Sequence, residues 1–429
     1  MIIKNILVFP GGTEIGLEVW NSLKECKDVS LFSACNDLSN HAPYVFKNHF
    51  IVPDVHTDCW IEPLKDVISK NKIGFILPCH DDVIVALAER SNELSAKIVS
   101  SPLSTCQLCR SKTKTYEIFK NLLPVPRVFD KFSEISQFPV FVKPDKGQGS
   151  QGASKVSDLE TLYSLLKSNP DLIILEYLSG KEYTIDCFTD RKKGLLFCGG
   201  RERIRTKSGI SMNSKPVDTK LNAIFREYAN IISKTIDLHG AWFFQLKEDD
   251  KGVFKLLEIA PRISGTMATH RVMGINFPLL SIYESEGIEI EIAQNNYDVE
   301  IDRALINRYR HNIKYDKVYV DLDDTLIIKN KVNVHLIKFL YECVNKNCEI
   351  ILITKTVNDI NTYLNKWKLA NLFDKIILLN KKDSKADYID PVNSIFIDDS
   401  FSERISVSRK CRIPTFDCSM VELLIEDKV

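Results

Sequence analysis

Short apolar runs alternate with longer amphipathic stretches along this chain. Residues 5–9 are apolar enough for a buried strand. Gly11, Gly12 and Gly16 follow and lead into a helix carrying Leu17, Val19, Trp20 and Leu23. Strand-like runs recur at 29–32, 49–52 and 73–77, with helical patterns such as 83–93 between or after them. This alternation predicts a parallel sheet with helices on its faces. A strand, a glycine turn and a helix can hold a phosphate at the helix N-terminus. The same pattern serves equally as a tight turn, and the spacing does not choose between them.

The pattern divides the chain into three regions, 1–100, 101–314 and 315–429. The second carries strands at 139–143, 172–176, 241–247 and 253–259 and ends in a polar stretch, from about 295, that reads as a closing strand and linker. The third carries apolar strands at 318–320, 349–353, 375–379 and 394–397 with helical patterns between them, again an open α/β sheet. Neither an internal repeat nor a low-complexity tract is present.

Composition narrows the function classes. With 44% hydrophobic and 27% charged residues the chain is neither disordered nor fibrous. Lys+Arg and Asp+Glu both number 57, so the overall charge calls for neither nucleic acid nor an anionic membrane as partner. The 12 cysteines are irregularly spread, which points to free thiols in a reducing compartment. Cys106 and Cys109 form the one close pair, and a zinc site would need a second such pair. The N-terminal apolar run is too short for a signal-peptide core, and no run approaches the length of a membrane span. A cytoplasmic protein is expected.

Residues 147–152 fit Gly-x-Gly-x-x-Gly, with Gly147, Gly149 and Gly152 at the fixed positions and Ser150 among them. A dinucleotide fingerprint opens directly into a helix. Here extended residues, 153–156, come next, and only then Ser157 and Asp158, good N-caps for a helix with Leu159, Leu162, Leu165 and Leu166. The loop therefore joins two strands. A Gly- and Ser-rich hairpin after a strand that carries Lys143 can lay backbone N–H groups over a polyphosphate while the lysine supplies charge.

Over about the first 310 residues the chain resembles the ATP-grasp superfamily, in its carbamoyl-phosphate-synthase-like and biotin-carboxylase-like branch. Ser111-Lys112 with Thr115-Tyr116 is similar to the first nucleotide-binding lysine segment, and Lys143 with the glycine hairpin to the second. Glu176 and the residues after it are similar to the adenine hinge, and Glu182 to the ribose-binding glutamate. Gln245 and Glu258 lie in segments similar to the two metal-binding strands. The resemblance implies that Lys112 and Lys143 contact ATP phosphates, that Gln245 and Glu258 hold Mg²⁺, and that Arg262 neutralises the transferring phosphoryl group. Arg203 and Arg205, before Ser208-Gly-Ile-Ser211, resemble the substrate-side strand and loop. One departure stands out. The family pattern Glu-x-Asn-Pro-Arg here reads Glu258-Ile-Ala260-Pro-Arg262, and alanine cannot ligate a metal.

The C-terminal region resembles the haloacid-dehalogenase-like (HAD-like) phosphohydrolases. A buried strand ends in Asp321-Leu-Asp323-Asp-Thr325. Thr354, then Lys385 with Lys382 as rival, then Asp398 and Asp399 follow in the family's order. The resemblance implies that Asp321 is a phosphorus nucleophile and Asp323 a general acid and base, with Mg²⁺ held by Asp321, the Asp323 carbonyl and Asp399 or Asp398. Thr354 and Lys385 would grip the phosphoryl oxygens. The segments between these motifs are too short for a cap. The site either takes a bulky substrate or is covered by the front body.

The fold expected is thus α/β and α+β: a Rossmann-like pre-ATP-grasp domain, an ATP-grasp domain and a small capless HAD-like domain. The activity expected is bifunctional. An ATP-dependent ligase joins a small-molecule carboxylate and an amine, either of which could be phosphorylated, through an acyl-phosphate. A Mg²⁺-dependent phosphatase then removes phosphate from the product. The alternatives are a kinase, a carboxylase (although no bicarbonate site is visible) or a nucleotide-binding regulator with a silent site, suggested by Ala260. The sequence leaves a homodimer open.

Overall fold

The computed structural model describes residues 3–147, 149, 151–355 and 359–426, which fall into two compact units divided between Leu305 and Ile306. In the first unit, strands β1 (Lys4–Phe9), β2 (Val29–Cys35), β3 (Asn48–Ile51), β4 (Phe75–Pro78) and β5 (Lys97–Ile98) form a parallel sheet of order β3-β2-β1-β4-β5. The central strand is apolar from Ile6 to Phe9, where both of its faces are covered. Ile6 and Val8 pack with Trp20 and Phe46, whereas Leu7 and Phe9 pack with Trp60 and Leu64 on the other side.

The glycine turn after β1 is built for packing. A Cβ on Gly11 would lie 2.3 Å from Ser33 Oγ, and one on Gly16 would lie 2.6 Å from the Gly11 carbonyl oxygen. Thr13 Oγ1 caps the helix Glu14–Leu23 by accepting from Gly16 N at 3.0 Å. Glu14 itself occupies the first helical turn, which sets a carboxylate at the end that would otherwise attract an anion. These close approaches fit a tight βα connection. The helical pattern at 83–93 resolves into a helix, Asp81–Glu89, and a separate 3₁₀ turn, Ser91–Glu93.

A three-stranded antiparallel sheet follows, of order β7-β6-β8, from β6 (Val140–Pro144), β7 (Ser154–Val156) and β8 (Leu172–Glu176). The glycine run therefore connects two antiparallel strands, as expected. Asp158 caps the helix Leu159–Ser168. The body of the unit is a six-stranded antiparallel sheet of order β13-β12-β9-β10-β11-β14. Its strands are β9 (Glu182–Asp190), β10 (Gly194–Lys207), β11 (Ile210–Pro216), β12 (Gly240–Glu248), β13 (Phe254–Ala260) and β14 (Ile301–Asp302). Ile185, Trp242, Phe244 and Leu256 line its core face under the helix Thr219–Thr235.

The second unit is a five-stranded parallel sheet of order β19-β18-β15-β20-β21. It contains β15 (Lys317–Val320), a small hairpin of β16 (Ile327–Ile328) and β17 (Lys331–Val332), β18 (Glu349–Thr354), β19 (Lys375–Leu378), β20 (Ser394–Ile397) and β21 (Thr415–Phe416). Val318 and Val320 face one core cluster and Tyr319 the other, so this central strand is also buried on both faces. Between Thr325 and β18 the chain holds only the hairpin and the helix Val334–Asn345. Among the described residues no helix is long and apolar enough to cross a membrane.

Candidate functional site

In the first unit a cleft of about 500 Å³ runs between the three-stranded sheet and the six-stranded sheet. Its floor is the face of the large sheet opposite the core. Along β9 the alternation sends Tyr183, Ile185 and Cys187 into the core and leaves Glu182 and Thr184 to line the cleft. Along β12, Trp242, Phe244 and Leu246 are core residues, and Phe243, Gln245 and Lys247 line the cleft.

β13 departs from strict alternation. Gln245 pairs with Glu258, but the next residue, Leu246, pairs with Leu256. Leu257 is the extra residue of a β-bulge. The bulge keeps Leu256 and Ile259 in the core while both Leu257 and Glu258 line the cleft. It thereby sets the Glu258 carboxylate opposite Gln245. Ala260 pairs with Phe243 and lies two residues beyond Glu258, on the same face of the strand.

The lysines converge on the glycine hairpin. Ser111 caps the helix Lys112–Phe119, accepting from Lys114 N and donating to Asp145 Oδ2 at 2.8 Å. Lys112 Nζ donates to the carbonyls of Asp145 and Gly147, both at 3.2 Å. Lys143 Nζ donates to the Tyr116 hydroxyl at 2.9 Å, and that hydroxyl donates to the Leu257 carbonyl. Burial, aided by the charge of Lys112, pushes the Lys143 ammonium down to about 8. Gly147 and Gly149 line the cleft, and Gly149 and Gly152 hold left-handed backbone angles that favour glycine. Ser150 lies outside the described residues.

Glu176 and Glu182 occupy the same cleft. Glu176 Oε1 accepts from Arg127 N at 2.9 Å, and Lys255 lies 3.4 Å from it. Glu182 pairs with Arg203 and lies 3.5 Å from Lys247. Arg203 Nη1 also donates to Gln245 Oε1 at 3.1 Å, so one guanidinium links the expected ribose and metal positions. Arg205 does not line the cleft and instead pairs with Asp302 at 2.8 Å.

Arg262 lines the cleft but forms a two-point ion pair with Asp81, with Nη2–Oδ2 at 3.1 Å and Nε–Oδ1 at 2.5 Å. Arg262 is buried and Asp81 half-buried, and the pair ties the large sheet to the helix after β4. The Arg262 guanidinium also holds the Asp81 carboxyl below its usual range against the opposing effect of burial.

A fully buried arginine, Arg201, was not singled out from the sequence. Its Nε donates to Asp186 Oδ2 at 2.7 Å, and its Nη2 to Ser264 Oγ at 2.6 Å. The signal available was a pair of opposite charges at diagonal positions of the unrecognised hairpin β9–β10, Asp186 opposite Gly199 and Arg201 opposite Thr184.

In the second unit Lys385 is 3% exposed and its Nζ bridges Asp321 Oδ1 at 2.5 Å and Asp398 Oδ2 at 2.6 Å. Lys382, the rival position, is exposed. Asp321, Asp398 and Asp399 offer carboxylate oxygens within 4.8 Å of one another, the only such set of three among the described residues. Burial raises Asp321 to about 7, with Lys385 opposing the rise and Asp398 adding to it. Thr325 Oγ1 donates to Asp399 Oδ1 and accepts from Asp399 N. Arg404 Nη1 donates to the carbonyls of Asp398 and Asp399, both at 2.7 Å, and so clamps the acidic loop; the sequence reading overlooked it. Thr354 is buried at the end of β18, beside the central strand that delivers Asp321. Asp323 is partly exposed at the same end of the sheet.

Residues 168–305 match the sequence profile of a family described as ATP-grasp in the biosynthetic pathway with Ter operon. The fold of the first unit is ATP-grasp. Among solved structures, the biotin carboxylase domain of the Hydrogenobacter thermophilus 2-oxoglutarate carboxylase, in complex with MgADP, ADP and bicarbonate, superposes with a TM-score of 0.57 at 16% identity. That match covers 68% of this chain and 72% of the other. An N5-carboxyaminoimidazole synthetase from Staphylococcus aureus, complexed with ADP, gives 0.56 at 15% identity, covering 68% and 79%. An L-amino acid ligase from Bacillus licheniformis gives 0.53 at 17%, covering 66% and 74%. At these identities the likeness is one of fold. No curated protein matches the sequence.

Proposed function

We propose that the first unit is an ADP-forming carboxylate–amine ligase and that the second is a capless HAD-like phosphomonoesterase, with the domains at 1–100, 101–314 and 315–429. The observation that carries the ligase reading is the convergence of Lys112, Lys143, the glycine hairpin, Glu182, Gln245 and Glu258 on one cleft of an ATP-grasp fold. The donor set suits the ligand. Two ammonium groups and the glycine backbone match a polyphosphate, Glu182 can accept from ribose hydroxyls, and backbone after Glu176 can pair with adenine. Gln245 and Glu258 offer the hard oxygen donors that Mg²⁺ prefers and would hold it. Bound there, Mg²⁺ would supply positive charge to the phosphates.

The chain's own residues then do the following. Lys143 and Lys112 hold the phosphates in line with the substrate end of the cleft. A substrate carboxylate oxygen attacks the γ-phosphorus, and ADP leaves with the bridging oxygen. The acyl-phosphate so formed is attacked by the amine, the nitrogen loses a proton, and inorganic phosphate departs. Arg203 orients Glu182 and Gln245, and Arg262 adds positive charge beside the transferring group while Asp81 fixes its place.

In the second unit the three carboxylates around one point suit Mg²⁺, which would offset repulsion between Asp321 and a phosphate. Asp321 attacks phosphorus, and Asp323 gives the leaving oxygen its proton and later takes one from water. Lys385 and Thr354 steady the phosphoryl oxygens. Fusion of the two activities suggests that the phosphatase strips the ligation product.

The deciding experiment is a mass-spectrometric screen of ATP with carboxylate and amine libraries, plain and phosphorylated. ADP release that needs both an acid and an amine, with a matching amide, supports the ligase. Glu258→Gln should lower that turnover by at least a hundredfold and leave hydrolysis of p-nitrophenyl phosphate by the second unit unchanged. ADP release that needs no amine, with a phosphorylated acid as the stable product, would make the first unit a kinase.

A further inference from the structure

The end of the cleft beyond Arg262 is built from residues that the ATP-site reading does not use. Thr13, Glu14 and Ile15 reach it from the turn after β1, Gly265 and Thr266 from the segment after β13, and Arg303 from the residue after β14. Its charges fall into two groups. Two are matched: Arg201 with Asp186 and Arg262 with Asp81. A matched pair has little left to give a ligand without exposing its partner.

Glu14 and Arg303 are different. Among the described residues neither forms an ion pair, although the charges of Glu14 and Glu18 both act on Arg303. Both are partly buried and line the cleft. Arg303 has one hydrogen bond from its guanidinium, Nη1 to the Ser211 carbonyl at 3.3 Å, so most of its donors remain. The two groups converge at Gly265. A Cβ built there would stand 3.6 Å from Arg303 Nη1, 3.6 Å from Glu14 Cγ and 3.8 Å from Glu14 Oε1. The missing side chain at residue 265 leaves a small space with a carboxylate on one side and a guanidinium on the other.

A ligand satisfying both must carry an ammonium group and a carboxylate about one small residue apart. A plain carboxylate would leave Glu14 repelling it, and a plain amine would leave Arg303 doing the same. We infer that one substrate of the ligase is a zwitterion, a free α-amino acid, whose ammonium group is held by Glu14 and whose carboxylate lies against Arg303. This inference rests on the ligase reading for its place in the reaction, but the binding it describes does not need ATP turnover.

The test uses the full chain with Asp321→Asn, which silences phosphate release from the second unit. The probes are the twenty common α-amino acids, the matching acids lacking the α-amino group, and the amino acid methyl esters. Binding is read by calorimetry without nucleotide, and turnover by hydroxamate formation with ATP and hydroxylamine. The expected result is that at least one amino acid binds tenfold or more tightly than both its deaminated acid and its methyl ester. Glu14→Gln should erase the preference over the deaminated acid, and Arg303→Gln the preference over the ester. Gly265→Ala fills the space with ordinary contacts, so it should weaken amino acid binding at least tenfold while the affinity for ADP is kept. Should Glu14→Gln fail to fold, Gly265→Ala carries the test alone. Plain acids that bind and form hydroxamates while amino acids do neither would overturn the inference and leave the ligase intact. Amino acids that bind with this residue dependence but never form hydroxamates would uphold the binding site and rule out the amino acid as the acid that the ligase activates.

Discussion

Lys143 and Asp321 both sit far from their ordinary titration ranges, and in the proposed reactions each faces a phosphate. The folded Lys143 loses its proton near pH 8 because burial disfavours its charge. Its attraction for ATP is therefore present below about pH 8 and fades above it. ATP affinity measured by calorimetry should fall between pH 7.5 and 9, with proton uptake on binding in that interval. Lys143→Ala should weaken ATP by roughly ten- to a hundredfold, from the ~1.5–3 kcal/mol of a hydrogen bond to a charged group, and should flatten the pH profile. Asp321 is the opposite case, a carboxyl whose folded pKa is raised from 3.8 to about 7. The folded chain keeps a proton that the unfolded chain gives up earlier, so the stability it contributes is full below pH 3.8 and is lost as pH rises through 7. Asp321→Asn should raise the Tm of the metal-free second unit at pH 8, by an effect on the order of a few kcal/mol, and should change little near pH 4. Adding Mg²⁺ at pH 8 should raise the wild-type Tm and barely move the variant.

At the scale of elements, the bulge at Leu257 decides which side chains meet. It sets Glu258 opposite Gln245 and leaves Ala260 on the same face. Restoring an amide there by Ala260→Asn should lower the Mg²⁺ concentration needed for half-maximal ADP formation severalfold. An unchanged requirement would mean that residue 260 does not approach the metal. The bulge also marks a limit of sequence reading. The strands β1, β6, β8, β12, β13, β15, β18 and β20 were legible because apolar runs between turn residues carry their own boundaries. The glycine hairpin was legible from what followed it, an extended run before the Asp158 cap. Strands β9, β10 and β11 were not read from their pattern. Their alternates on the face opposite the core are charged and polar, such as Glu182, Asp186, Arg201 and Arg203, and the one apolar run, 195–198, covers only the start of β10. The Arg201–Asp186 pair was hidden for the same reason. Asp81, the partner of Arg262, stands 181 residues away, and only the tertiary fold joins them. Lys385 was the better match in the sequence, with Lys382 as its rival; burial beside Asp321 separates them.

For the molecule as a whole, the proposal is that two phosphate chemistries share one pathway. A phosphate group on the amine or acid would give the ligase a charged handle, and its later hydrolysis would draw the sequence forward. Asp321→Asn keeps the shape of the second site without its nucleophile. It should still consume ATP and should accumulate a phosphorylated amide where the wild type releases the plain amide. If mutant and wild type give identical products from every phosphorylated substrate, the two units share no intermediate.

The central claim is that the first unit activates a carboxylate by phosphorylation, and oxygen transfer tests it most directly. Asp321→Asn protein, which adds no phosphate of its own, is given ATP, hydroxylamine and the ¹⁸O-carboxylate substrate that best supports ADP release. An acyl-phosphate route moves one ¹⁸O from the carboxylate to each inorganic phosphate released, with one ADP formed per hydroxamate. Unlabelled phosphate, or release of AMP and pyrophosphate, would contradict the account.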